Sequence, residues 1–169
     1  MRREQRDVKK QNPKIANIHA GCVALGKKGV LILGESGAGK SDLMLRLMDE
    51  GAKLVADDRT ELYVARGRFC ARAPKSIAGL IEVRGLGIIA QPFVTGVGVA
   101  LAVRLGTPER LPEWQFFQPP PGISPAKAVP LIVLDGRAAS ATARLRLALK
   151  AYARDMFRQT FNDKANSPK

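Results

Sequence analysis

The chain has 169 residues, the length of one ordinary domain, so a single contiguous core is expected. Hydrophobic residues make up 46% and charged residues 25%, a balance that excludes a wholly disordered chain. Lys and Arg number 28 against 15 Asp and Glu, and the resulting +13 raises nucleic acid or an anionic surface as a first partner. Position answers that suspicion: residues 1–14 carry +4 and residues 137–169 carry +6, leaving +3 for everything between. Aromatic residues are only 5% and are not interleaved with a basic patch, which argues against a nucleic-acid-binding module. Cys22 and Cys70 could form at most one bridge, Met1 to Pro13 has no apolar signal core, and no long apolar run suits a membrane span. A cytoplasmic protein is expected, with both cysteines as small apolar fillers.

Residues 1–14 read as a flexible basic arm, 15–161 as one catalytic domain and 162–169 as a frayed tail. The alternating stretch Ile18 to Leu25, the turn Gly26 to Gly29 and the apolar run Val30 to Leu33 predict a β-hairpin whose second strand is buried. A glycine-rich octet follows. Ser41 to Glu50 predicts a helix with Leu43, Met44, Leu47 and Met48 on one stripe and Gly51 just past its C-terminus. Lys53 to Ala56 reads as a short strand, and Thr60 to Val64 with Arg68 to Ala71 as a second hairpin around Arg66-Gly67. Ser76 to Ile89 is a mixed segment, Val94 to Arg104 is strand-like, and Trp114 to Gly122, with three successive prolines, must be a loop. Val129 to Leu134 has a buried-strand pattern. Ala138 to about Phe161 predicts a long helix with Ala141, Leu145, Ala148, Tyr152 and Met156 facing the core.

The octet Gly34-Glu35-Ser36-Gly37-Ala38-Gly39-Lys40-Ser41 matches G-x-x-x-x-G-K-[ST] at every fixed position, with an apolar strand before it and a helix after it. The glycines let backbone N–H groups turn inward to phosphate oxygens, and the helix adds the positive end of its dipole. Lys40 supplies a mobile charge for the β- and γ-phosphates, and the Ser41 hydroxyl suits Mg²⁺.

Asp57 and Asp58 close the strand after this helix, where a P-loop protein places its metal-side carboxylate. Adjacent acids on an extended chain point to opposite sides, so one could face the metal and the other a substrate hydroxyl as general base; a simple turn signal is the alternative. Glu82 lies in an apolar, glycine-rich context; if that segment is extended, Glu82 and Arg84 share a face, and an exposed ion pair is the bland reading. His19, the single histidine, lies on the first predicted hairpin strand as either a surface or a functional residue.

Taken together, Ile18-His19-Ala20, the octet, Leu54-Val55-Ala56-Asp57-Asp58 and Ile81-Glu82-Val83-Arg84-Gly85-Leu86-Gly87-Ile88-Ile89 resemble the HPr kinase/phosphorylase family. The last of these is close to the family signature L-E-I-R-G-L-G-I-I. The resemblance covers about Ile15 to Phe161 and implies an α/β fold, a P-loop-containing mixed β-sheet with flanking helices, related to P-loop kinases. It implies His19 and Lys40 in the active site, Ser41 and Glu82 as Mg²⁺ contacts, and one of the tandem acids as the base, Asp58 first and Asp57 second. Arg110 resembles the arginine of the family's D-R-L-G stretch, and Leu134-Asp135-Gly136-Arg137 its later P-G-R-N loop, with Asp135 in place of proline. The implied reaction is ATP-dependent phosphorylation of a serine of the phosphocarrier protein HPr. Its reverse, phosphorolysis by inorganic phosphate to pyrophosphate, and hexameric assembly are implied with it. A P-loop kinase or NTPase acting on another acceptor is the alternative.

Overall fold

The computed structural model describes residues 14–156; the predicted basic arm, apart from Lys14, and the predicted tail lie outside them. Nine strands form one sheet in the order β1-β5-β6-β9-β3-β2-β4, with β11 beside β9 and β10 beside β11. The strands are β1 Ile15–His19, β2 Gly21–Leu25, β3 Lys28–Leu33, β4 Lys53–Ala56, β5 Arg59–Ala65, β6 Arg68–Arg72, β9 Val97–Leu105, β10 Gln115–Phe116 and β11 Pro130–Leu134. A separate two-stranded sheet pairs β7 Leu80–Val83 with β8 Gly87–Ala90. The helices are α1 Lys40–Asp49 and α2 Ala141–Arg154.

β9 is the axis of the sheet. It runs parallel to β3 along one edge, while its other edge is shared between β6, antiparallel at Val97 and Gly98, and β11, parallel from Ala102 to Leu105. β2 is antiparallel to both β3 and β4, so β4 runs in the same direction as β3. The C-terminal ends of β3, β4, β9 and β11 therefore open along one rim, where sheets of this kind bind ligands. Covered on both faces, β3 and β9 read as continuous apolar runs rather than as alternating patterns. Val30, Ile32, Leu101 and Val103 meet Leu43, Met44 and Leu47 of α1 and Leu145 and Leu149 of α2. Leu31 and Ala102 point the other way, toward Cys22, Leu62, Phe69 and Val129.

The structure sharpens several of the predicted elements. The stretch Ile18 to Leu25 is not one strand: β1 leaves at Ala20 and pairs antiparallel with β5, and only β2 forms the hairpin with β3. Thr60 fixes the break, since its buried hydroxyl donates to the Ala20 carbonyl at 2.7 Å. Both helices lie on one face of the sheet, sharing one core cluster. α2 starts at Ala141 rather than Ala138 and stops at Arg154, because Asp155 adopts a left-handed conformation with φ 49°. Met156 is exposed rather than in the core stripe. Gln115 and Phe116 form a short strand within the predicted loop. Arg84 lies in the β7–β8 turn, not on the Glu82 face of a strand, and no ion pair joins the two among the described residues.

Other features follow the sequence directly. Gly51, φ 94°, terminates α1: its N–H donates to the Met48 carbonyl and that of Ala52 to Leu47, both at 2.9 Å, so two orphan carbonyls are satisfied. Both cysteines are free and buried, and burial pushes the Cys22 thiol up to about 12. No helix of the described residues is long and apolar enough to cross a membrane.

Candidate active site

The octet forms the turn between β3 and α1. Gly37 and Gly39 take φ values of 78° and 95°, a region that side chains with a Cβ rarely adopt, and the Ala38 N–H closes a turn on the Glu35 carbonyl at 3.1 Å. Lys40 opens α1 and folds back into the loop. Its ammonium donates to the carbonyls of Gly34 at 2.8 Å and Glu35 at 3.0 Å. The lysine is 7% exposed, so its charge sits inside the concavity rather than in bulk water. Gly34 and Glu35 thus hold one cation inside the loop at a helix N-terminus, with Ser36, Gly37, Ala38, Gly39 and Ser41 completing the octet, and loops of this kind suit phosphate.

Because β4 runs parallel to β3, its end delivers the tandem acids to the same rim. They separate there. Asp57 is 7% exposed, accepts the Ser41 hydroxyl at 3.0 Å on Oδ1 and accepts the Glu82 backbone N–H at 2.9 Å on Oδ2. Asp58 is exposed, and its Oδ1 lies 2.8 Å from His19 Nε2. The separation comes from a tight turn: the Arg59 N–H donates to the Asp57 carbonyl at 2.7 Å around Asp58, whose φ is 62°. This is a three-residue turn of the strained kind, with a residue type that tolerates positive φ. The Ala20 N–H donates to the Asp58 carbonyl at 3.1 Å, so the end of β1 is locked against this turn and His19 with it.

Ser41 and Asp57 are hard oxygen donors in contact, the chemistry that Mg²⁺ prefers. Among the described residues no three His, Cys, Asp or Glu side chains gather into a metal cluster. A magnesium ion completed by phosphate oxygens and water fits such a sparse set better than a protein-caged metal does. Glu82 enters the site through its backbone, with its side chain exposed. Arg110 lies exposed in the loop after β9, with no hydrogen bond or ion pair among the described residues. Arg137 is closer in: its Nη2 donates to the Gly37 carbonyl at 3.4 Å. Arg46, in α1, donates to the carbonyls of Gly136 and Ala138 and was not apparent in the sequence, where its spacing from Asp42 signals only a helical ion pair.

The chain is similar in sequence and in fold to known proteins. The model of the HPr Serine kinase C-terminal domain family matches residues 11–102. The HPr kinase/phosphorylase of Clostridium tetani is 37% identical over 102 residues, spanning 60% of this chain and 33% of that protein. That of Clostridium beijerinckii is 44% identical over 72 residues, spanning 43% of this chain and 24% of that protein. The solved structure of the Hpr(Ser) kinase/phosphatase from Coxiella burnetii superposes with a TM-score of 0.69 at 28% identity, covering 83% of this chain and 98% of that one. The matched stretch is thus about a third or less of the length of these curated relatives.

Proposed function

The chain belongs to the HPr serine kinase C-terminal domain family, and from that membership we propose that it transfers the γ-phosphoryl group of ATP to a serine hydroxyl of HPr. The observation that carries the reading is the division of labour between adjacent acids: Asp57 faces the phosphate-loop serine, while Asp58 is exposed and held by His19. Phosphoryl transfer needs positioning and charge stabilisation more than covalent chemistry, and such a set supplies both.

In this reading the backbone N–H groups of Gly34 to Ser41 hold the phosphates, and Lys40 exchanges its loop carbonyls for phosphate oxygens. Ser41 and Asp57, with Glu82 next to them, would hold Mg²⁺, which when bound would neutralise charge on the phosphates. Asp58, oriented by His19, takes the serine proton as the serine oxygen bonds to phosphorus and the bond to the ADP oxygen breaks. Run backwards with inorganic phosphate as nucleophile, the bond from phosphorus to the serine oxygen breaks, pyrophosphate forms and Asp58 returns the proton to serine. Arg110 belongs to this reading as an added cation delivered by loop closure, and a cytoplasmic, hexameric enzyme accompanies it by family resemblance.

The test is direct. Purified protein, HPr and Mg²⁺·ATP should yield phosphoserine on HPr by mass spectrometry. If none forms while a related HPr kinase phosphorylates the same HPr in parallel, the proposal fails; transfer to a small metabolite instead would point to another acceptor.

A further inference from the structure

The loop Asp135 to Ala138, which carries Arg137, is held from three sides. Gly136 is buried against Leu105, where an added Cβ would come within 3.0 Å of the side chain. Asp135 closes a turn on itself: its carboxylate accepts the Arg137 N–H at 3.0 Å and its carbonyl the Ala138 N–H at 3.2 Å. The third hold comes from the phosphate-loop helix. Arg46 donates from Nη2 to the Gly136 carbonyl and from Nη1 to the Ala138 carbonyl at 3.4 Å, while its Nε bonds Asp42 at 3.2 Å.

Asp42 alone does not account for this arrangement, since an exposed pair one helical turn apart contributes little. A planar fork of donors can serve a carboxylate and two carbonyls at once, which an ammonium group on a flexible stem does poorly. The backbone on both sides of Arg137 is therefore tied to α1, and the Arg137 guanidinium extends onto the phosphate loop at Gly37. A neutral carbonyl is a weak partner for a guanidinium, and a phosphate oxygen would displace it.

We propose that Arg46 is a positioning residue: acting through the Asp135 to Ala138 loop, it holds Arg137 on the phosphate cradle as a second cation beyond Lys40. The loop then moves with α1 and the phosphate loop as one body. The kinetic consequences rest on the phosphoryl-transfer reading, whereas the effect on anion binding does not.

The test is a double-mutant cycle read by calorimetric titration of inorganic pyrophosphate. Arg137→Gln and Arg46→Gln should each weaken binding by about tenfold, and the double variant should bind no more weakly than Arg137→Gln alone. Arg46→Lys, which keeps the charge but loses the fork, should fail to rescue. Equal losses from Arg46→Gln with and without Arg137, full rescue by lysine, or no loss at all would each overturn the proposal. Should Arg46→Gln not melt cooperatively, Gly136→Ala displaces the same loop against Leu105, and its loss of pyrophosphate affinity must likewise vanish in the Arg137→Gln background. A wild-type protein that binds pyrophosphate with this coupling yet never phosphorylates HPr would refute the kinase reading and leave the clamp standing.

Discussion

His19 Nε2 and Asp58 Oδ1 lie 2.8 Å apart, yet the two residues share no hairpin. His19 ends β1, Asp58 sits in the turn between β4 and β5, and the antiparallel pairing of β1 with β5 puts His19 opposite Arg59. The contact is thus set by backbone register and by the Thr60 bond to Ala20, which leaves the Asp58 carboxylate open to solvent on its other side.

Asp58→Asn keeps the shape of this contact and removes the basic oxygen. Serine phosphorylation of HPr is expected to fall by about 10²- to 10⁴-fold, the usual worth of a general base, with nucleotide affinity unchanged. His19→Ala should cost less, about tenfold, because it loosens the base without deleting it. Initial rates with HPr and a separate nucleotide titration check both, and a near-wild-type rate for Asp58→Asn would remove it from the mechanism.

Asp57 is a different case because both of its oxygens are already engaged, by the Ser41 hydroxyl and by the Glu82 N–H. Asp57→Asn turns one acceptor into a donor in a buried place, so a loss of about 1–3 kcal/mol in unfolding free energy is expected. The Mg²⁺ concentration needed for half-maximal ATP binding should rise as well. Denaturant melts and a Mg²⁺ titration read the two effects separately; an unchanged melt would show that these bonds carry no stability.

Glu50 ties the end of α1 to α2: its carboxylate accepts from the Thr142 hydroxyl at 2.7 Å and from Arg146 Nε at 2.9 Å. The Thr142 bond, followed by Arg146, holds the Glu50 carboxyl below its ordinary value. A depressed pKa means that the folded state binds this proton less readily than the unfolded one. The stabilisation is therefore complete above the ordinary carboxylate range and is lost as pH falls through the folded pKa. Glu50→Gln should flatten the acid limb by lowering stability slightly above pH about 5, where the carboxylate is charged, while the two proteins converge at the acid end. Thermal melts from pH 3 to 7 compare the two proteins; identical acid limbs would exclude the link.

The sequence exposes whatever is built from contiguous residues. The octet needs its own glycines, α1 ends where Gly51 allows a left-handed residue, and β4 ends at two acids, so phosphate loop, helix and carboxylates are all legible within residues 34–58. Strand partners are not. Nothing within Ile18 to Leu25 marks where the strand divides, and bonds to Ala20 from residues about forty positions away, Thr60 and Asp58, set the break. Nor does spacing reveal that Arg46 bonds carbonyls across the fold, or that Asp155 halts a helical pattern that runs on past it. The acids could be found, while the way they divide depended on the turn at Asp58.

β7 and β8 pair only with each other, around a turn in which the Leu86 N–H donates to the Val83 carbonyl at 2.9 Å and Gly85 has φ 85°. Leu86 is 73% exposed and Ile88 71%, so besides its four paired residues β8 is held mainly by Ile89, which packs against the core. Two-stranded ladders are marginal by themselves and open far more often than a central sheet does. Amide hydrogens of Gly87 to Ala90 should exchange orders of magnitude faster than those of β3 and β9. Glu82, on the partner strand, stands where a rigid element, through Ile81 in the core and Asp57, meets a breathing one. In the proposed reaction the β8 side of this element can therefore deform around a protein acceptor while Ile81 and the Asp57 contact keep its inner strand fixed.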